Sequence, residues 1–268
     1  MRKKLQLWIG LIFFLFLLPI VADKIPAEAK EEVTIVEKKD QRLVYASNLR
    51  QIEPPPAVEE PAVQKKSALV YFTHYDEAFK PITQAHDGKI AVSHLEKNIT
   101  NFGEQLKAHF QANNIQTDVL DVKVSRTKAY DAIRPHVKQM LAEKQYDLLL
   151  DIHRDALKKD RTTVQHEGAS YAKIAIVIGQ ENNNYRWNEA LAERISKRMN
   201  ELIPDISRGL IPKQGHGVDG NYNQDLSRNL LLIEIGGIDN TEEEINRTIA
   251  VLSKAASDVL NAEQLAKD

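Results

Sequence analysis

The chain of 268 residues contains no cysteine. That excludes a disulfide framework, a thiolate nucleophile and cysteine-ligated zinc, so any metal site must be built from His, Asp and Glu. The absence is compatible with an oxidising, extracytoplasmic location. Charge of one sign is lacking too. The formal net charge is -2, which leaves no basis for a nucleic-acid binder working by bulk electrostatics. No internal repeat is visible, and the length suits one large domain or two small ones.

What is present begins with "MRKKLQLWIGLIFFLFLLPIVADK", where Arg2, Lys3 and Lys4 precede an apolar run over residues 7–22. The basic end is expected in the cytoplasm and the rest across the membrane. Sixteen residues fall short of the ~20 of a spanning helix and near the length of a signal-peptide core. The expectation is a retained anchor over residues 1–22, with cleavage after Ile20-Val21-Ala22 and secretion as the alternative. A buried core helix is disfavoured because the run has no polar face. Residues 23–66 read as a charged linker, with a short structured patch expected around residues 43–46. Pro54, Pro55, Pro56 and Pro61 favour extended polyproline conformations there. Such a tether reaches on the order of 100 Å when extended.

From Ser67 the pattern changes, and residues 67–268 are expected to form one α/β domain. "ALVYFTH", "TDVLDVKV", "YDLLLDIH", "YAKIAIVIG" and "LLLIEIGG" read as five strands. Between them, Ile99, Phe102, Leu106 and Phe110 recur at helical spacing, as do Tyr130, Ile133, Val137 and Leu141. "NEALAERISKRMNELI" and the closing "TEEEINRTIAVLSKAASDVL" add helices, the last opened by a capping box of Thr241 and Glu244. Alternation of strand and helix predicts a mostly parallel sheet with helices on both faces.

In open parallel sheets ligands gather outside the carboxyl ends of the strands. That edge selects His74 and Glu77 after the first strand, His153 at the end of the third, and Glu234 inside the apolar run of the fifth. The triplet His153-Arg154-Asp155 is not a kinase catalytic loop. No Gly-rich phosphate loop precedes it, no Asp-Phe-Gly follows, and Asp160 stands where that loop needs asparagine. Two imidazoles and a carboxylate with one open position form a known zinc hydrolase set. His74 and His153 supply the imidazoles. The carboxylate is Glu77, from the H-x-x-E spacing of "HYDE", or Glu96, which opens the next helix; His94 is a substitute ligand beside Glu96. Glu234 is a candidate general base, its proton affinity raised by apolar neighbours, or a buried structural charge. Gly236 and Gly237 after it would let a substrate backbone come close. Arg154 would hold a peptide carboxylate or oxyanion, or else pair with Asp155. Asn223 and Gln224 would hydrogen-bond substrate, or else serve turn chemistry. His109 and His136 fall on helices and His86, His166 and His216 in loops, where exposure is the default.

"LVYFTHYDEAFKP", "LLLDIHRDAL", "AKIAIVIG" and "YNQDLSRNLLLIEIGG", in this order, resemble the stage II sporulation protein P family from residue 67 to the end. That family is similar in fold to zinc-dependent cell-wall amidases, whose terminal "VE-x-G" is echoed by "IEIGG". The resemblance implies a membrane-tethered N-acetylmuramoyl-L-alanine amidase acting on peptidoglycan during engulfment, with an associated peptide-cleaving activity. It implies Zn²⁺ on His74 and His153, a catalytic Glu234, and Glu96 as third ligand where the residue spacing favours Glu77. Implied partners are glycan strands with stem peptides, the membrane, and sporulation wall machinery such as a lytic transglycosylase and its membrane partner; nucleic acid is not among them. The sequence departs from the family at Phe72, where a histidine is usual, and at Asp76, where Thr or Ser is usual. Its membrane-proximal region is also short, as a paralogue's would be. Two rival readings stand beside the amidase: a peptidoglycan-binding scaffold without turnover, and a zinc carboxypeptidase-like wall peptidase suggested by "HYDE".

Overall fold

The structure, a computed structural model, describes residues 65–265. The apolar run 7–22, the patch at 43–46 and nearly all of the linker lie outside the described residues. Among the described residues no helix is long and apolar enough to cross a membrane.

Eight strands form among the described residues, the central ones from β-branched or leucine-rich runs: β1 (Lys66–Tyr71), β2 (Ile115–Leu120), β3 (Leu148–Asp155), β4 (Thr163–His166), β5 (Ala169–Ala172), β6 (Ile174–Gly179), β7 (Ser207–Lys213) and β8 (Leu230–Gly237). Among the described residues five helices of eight or more residues accompany them: α1 (Lys80–Asp87), α2 (Gly103–Ala112), α3 (Ala129–Glu143), α4 (Tyr185–Leu202) and α5 (Glu242–Leu265). Six strands make one sheet in the order β2-β1-β3-β8-β6-β7, and β4 with β5 makes a separate hairpin. Pairing is parallel from β2 through β8 and between β6 and β7, and antiparallel between β6 and β8.

The α/β class expected from alternation is the class observed, but β4 and β7 are not among the five expected strands, and others differ in detail. The second strand spans Ile115–Leu120 rather than continuing to Val124; Asp121 and Lys123 point into solvent and the chain leaves the sheet. "YAKIAIVIG" is two strands that break at Lys173. Its N–H donates to Thr162 O (2.7 Å), next to β4, and its carbonyl accepts from Gly236 N–H of β8 (2.8 Å), so Lys173 sits where the hairpin passes into the main sheet. The strand β6 runs antiparallel to β8, and the connection that leads to it from β3 holds one helical turn, Lys159–Thr162, and the β4–β5 hairpin.

Period-2 alternation sorts the buried side chains onto the two faces. Ala68, Val70, Leu148, Leu150, Leu231 and Ile233 pack with Leu106 and Phe110 of α2 and with Ile249 and Leu252 of α5. Leu69, Tyr71, Leu149 and Leu230 pack on the other side with Ile133 and Val137 of α3. Central strands buried on both faces explain why they read as unbroken apolar runs. The capping box that opens α5 is formed: Thr241 N–H donates to Glu244 Oε2 (3.0 Å), and Glu244 N–H donates to Thr241 Oγ1 (3.3 Å).

Ile233 in β8 has no exposure. Ile233→Ala is expected to lower unfolding free energy by about 2–5 kcal/mol, read as a fall in the urea midpoint without change in slope.

Candidate functional site

Because β1, β3 and β8 run parallel and adjacent, their carboxyl ends meet at one edge. The first ordering element there is Asp151, a fully buried carboxylate in β3. Thr73, just past β1, donates its N–H to Asp151 Oδ1 (3.0 Å) and its hydroxyl to Oδ2 (2.7 Å). This fixes the chain at the point where His74 emerges. Two residues beyond Asp151, on the same side of the strand, stands His153, whose Nε2 lies 3.0 Å from Asp151 Oδ1. The contact is close but bent, and Nε2 has no aligned acceptor.

Glu77 reaches the same place through a turn, its N–H donating to His74 O (3.2 Å). The turn folds the i+3 carboxylate back toward the imidazole. Glu77 Oε2 accepts from the Arg154 backbone N–H (2.8 Å) and lies 3.8 Å from His153 Nδ1. The rings of His74 and His153 are 5.2 Å apart at 78°. Glu234 is the register partner of His153 across the β3–β8 ladder, and its Oε2 is buried without a hydrogen-bond partner. Thus His74, Glu77, His153 and Glu234 share one small volume.

The electrostatics follow from burial and crowding. Burial pushes the Glu234 carboxyl up to about 7, with Glu77 and Asp155 adding repulsion against the opposing pull of His153. For His153, burial alone favours the neutral ring, but Asp151 with Glu77 and Glu234 outweighs it and raises the value to about 10. His74 moves the other way, lowered by burial and by its neighbour His153.

Other expected site residues lie elsewhere or are already committed. Glu96 is a surface residue, its Oε2 3.6 Å from His86 Nε2. His94 pairs with Asp87 at 3.6 Å, and its Nδ1 accepts the N–H groups of Glu96 and Lys97 (3.1 and 2.9 Å). An imidazole nitrogen accepting backbone bonds fixes the ring locally, so neither His94 nor Glu96 joins the cluster. Arg154 donates to the carbonyls of Asp155 and Val92 (both 3.0 Å). The expected pairing with the Asp155 carboxylate is replaced by one between Asp155 and Arg208. Gln224 is fully buried, donating to Val177 O and accepting from Gly179 N–H (both 2.8 Å). Asn223 donates to Tyr130 O and accepts from Arg134 (both 2.8 Å). Both amides are therefore engaged by distant parts of the fold, Gln224 by β6 and Asn223 by α3. Gly237 makes room for the chain's own backbone rather than a ligand's: a Cβ there would lie 2.2 Å from Leu157 O. Gly236, at φ 67°, would meet Ile245 and Asn240.

Sequence reasoning missed Asp151, Thr73 and Tyr130. Asp151 had a signal, since "DIH" places it two residues before His153 on a period-2 strand. Tyr130 had none, because its helical spacing with Ile133 and Val137 assigns it to the core.

Among the described residues, no three His, Asp or Glu side chains already converge their donor atoms on one point as a metal cage. His153 Nε2 turns to Asp151 and the Glu77 carboxylate is held by the Arg154 N–H. The donor chemistry nonetheless fits zinc: two imidazoles and a carboxylate, one imidazole backed by a buried carboxylate that orients it, and an unpaired Glu234 oxygen alongside.

The molecule is thus a mixed α/β domain with a histidine–carboxylate cluster at the carboxyl ends of its central parallel strands. It belongs to the stage II sporulation protein P family, whose model matches residues 21–257. Stage II sporulation protein P of Bacillus subtilis (strain 168) is 31% identical over 250 residues, covering 88% of this chain and 61% of that protein. The chain therefore spans about three fifths of that relative's length. Among solved structures, it is similar to the CwlD amidase from Clostridioides difficile in complex with the GerS lipoprotein (12% identity, 76% of this chain and 100% of that one, TM-score 0.47). It is similar also to the N-acetylmuramoyl-L-alanine amidase AmiC2 of Nostoc punctiforme (13%, 75% and 98%, TM-score 0.42). A metallo-carboxypeptidase from Burkholderia cenocepacia matches at 9%, covering 76% and 59%, with TM-score 0.46. Likeness this distant transfers no residue role.

The placement of the two carboxylates separates them by experiment. Glu77→Ala is expected to lose zinc affinity in a competition titration while Glu96→Ala keeps it; the reverse order would put the third ligand on the 88–97 loop. Asp151→Asn is expected to weaken zinc binding by ~10-fold through the orientation of His153.

Proposed function

We propose that this chain is a zinc-dependent peptidoglycan hydrolase that cleaves the amide between muramic acid and L-alanine during sporulation. The reading includes attachment to the cytoplasmic membrane through residues 1–22 and a catalytic domain on the outer side. Membership in the stage II sporulation protein P family supports the setting. The observation that carries the chemistry is that His74, Glu77 and His153 lie together with the unpaired Oε2 of Glu234 at one sheet edge.

In this reading His74, Glu77 and His153 hold zinc, which when bound supplies Lewis acidity toward the scissile carbonyl. Asp151 holds His153 in orientation, and the Arg154 N–H holds Glu77. Glu234 is the proton carrier. Its carboxylate takes a proton from the attacking water as the new C–O bond forms, then gives it to the departing amine as the C–N bond breaks. A carboxyl with proton affinity near neutrality suits both halves of that transfer. The products are a lactyl carboxylate on the glycan and a stem peptide with a free L-alanine amino group. Cross-linked stem peptides are a second substrate class in this reading. A wall-bound lytic transglycosylase and its membrane partner are companions in this reading, since cleaving the glycan strand and removing its stem peptides act on different bonds of one polymer.

Purified protein incubated with peptidoglycan is expected to release whole stem peptides with new L-alanine amino termini, identified by mass spectrometry. Trimmed peptides instead would show a carboxypeptidase, and binding with neither product nor zinc would show a scaffold. Glu234→Gln is expected to lower kcat by ~10²- to 10⁴-fold while zinc content stays at the wild-type level. Chelation is expected to abolish release and added zinc to restore it.

A further inference from the structure

Tyr130 sits at the start of α3, yet its ring lies outside the core that Ile133 and Val137 of the same helix enter. It faces the site. The ring stacks on His153, with centroids 6.1 Å apart and 23° between planes. It meets His74 edge-on at 5.5 Å and 81°. Both separations lie in the range where aromatic rings attract in specific geometries. Tyr222 packs against it edge-on at 5.3 Å and 79°. One ring thus neighbours both imidazoles and a second tyrosine.

The backbone around Tyr130 is held with unusual force of geometry. Tyr222 (φ 53°) and Asn223 (φ 58°) are consecutive left-handed residues, and Lys128 (φ 52°) enters α3 in the same conformation. Non-glycine residues occupy that region sparsely, and they persist only where surrounding contacts determine them. Here the contacts form one chain. Asp225 takes the guanidinium of Arg134. Arg134 donates to Asn223 Oδ1 (2.8 Å). Asn223 Nδ2 in turn donates to the carbonyl of Tyr130 (2.8 Å). The loop before β8, which carries Glu234, is therefore tied to the residue that brackets the two histidines.

We propose that Tyr130 is a positioning residue: its ring fixes the orientation of the His74 and His153 imidazoles, and the Tyr222–Asn223 pair locks it in place. The proposal rests on the reading of these imidazoles as metal ligands, and it deepens that reading by assigning their alignment to an aromatic bracket rather than to hydrogen bonds alone. The ring does the positioning, so the hydroxyl is dispensable.

The test uses the full chain and the variants Tyr130→Phe, Tyr130→Leu and Asn223→Gly, glycine being able to keep the left-handed conformation without the amide. Zinc affinity by competition titration is read beside the imidazole resonances of the metal-free protein. Tyr130→Phe is expected to bind zinc as the wild type does. Tyr130→Leu is expected to bind on the order of 10-fold more weakly, and Asn223→Gly to show a smaller loss in the same direction. In metal-free protein the His74 and His153 resonances are expected to shift and broaden in Tyr130→Leu and to stay in place in Tyr130→Phe. Wild-type zinc affinity and unmoved resonances in Tyr130→Leu would overturn the proposal, as would a Phe variant as weak as Leu. If Tyr130→Leu fails to fold, Asn223→Gly decides on the same readouts. If the wild type itself takes up no zinc, the metal reading fails, and the resonances alone judge whether Tyr130 orients the two rings.

Discussion

Asp151 is a carboxylate with no solvent exposure, and the arrangement at the sheet edge depends on how its charge is matched. A buried charge left without partners costs about 3–5 kcal/mol. Here Thr73 satisfies both oxygens and His153 lies within contact distance. Those contacts bind the end of β1 to the middle of β3, 78 residues later in the chain. They also set where His74 leaves its strand and which way His153 faces. One buried acid therefore does for two histidines what neither strand does by itself.

Around this point the fold supplies rigidity in layers. β3 and β8 are central strands, covered on one face by α2 and α5 and on the other by α3. Their positions are held by packing that tolerates little movement. Glu234 is carried on β8 in register with His153, so its distance from the histidines is set by the ladder. The 88–97 loop is lashed on from outside by Ser93 to Asp76 (2.5 Å), by Arg126 to Asp76, and by Arg154 to the Val92 carbonyl. Asp76 thus ties the 88–97 loop and Arg126 to the segment that follows β1.

The glycines and amides near β8 show how a residue can look functional and be architectural. Gly237 allows the passage of the chain's own 157–162 segment, and Gln224 satisfies backbone groups at the end of β6. In the sequence Gln224 reads as a polar side chain shortly before β8; its burial and its backbone partners on β6 are visible only in the fold. Tyr130 is the converse, an apolar-pattern residue whose neighbours are the candidate ligands.

The sequence by itself determined the α/β class, the helices on both faces, the capping box of α5 and the placement of His74, His153 and Glu234 toward one edge of the sheet. These follow from local periodicity, because a period of 2 or 3.6 is written into consecutive residues. Tertiary structure alone decided that Glu77 and not Glu96 lies beside His153, that Asp151 is shared between two strands, that β6 runs backwards, and that Tyr130 turns to the imidazoles. Each of those is a contact between residues far apart in the chain, where the outcome depends on which buried polar groups find partners. No local pattern carries that information, since the same H-x-x-E spacing, the same tyrosine and the same asparagine would read identically in an exposed loop.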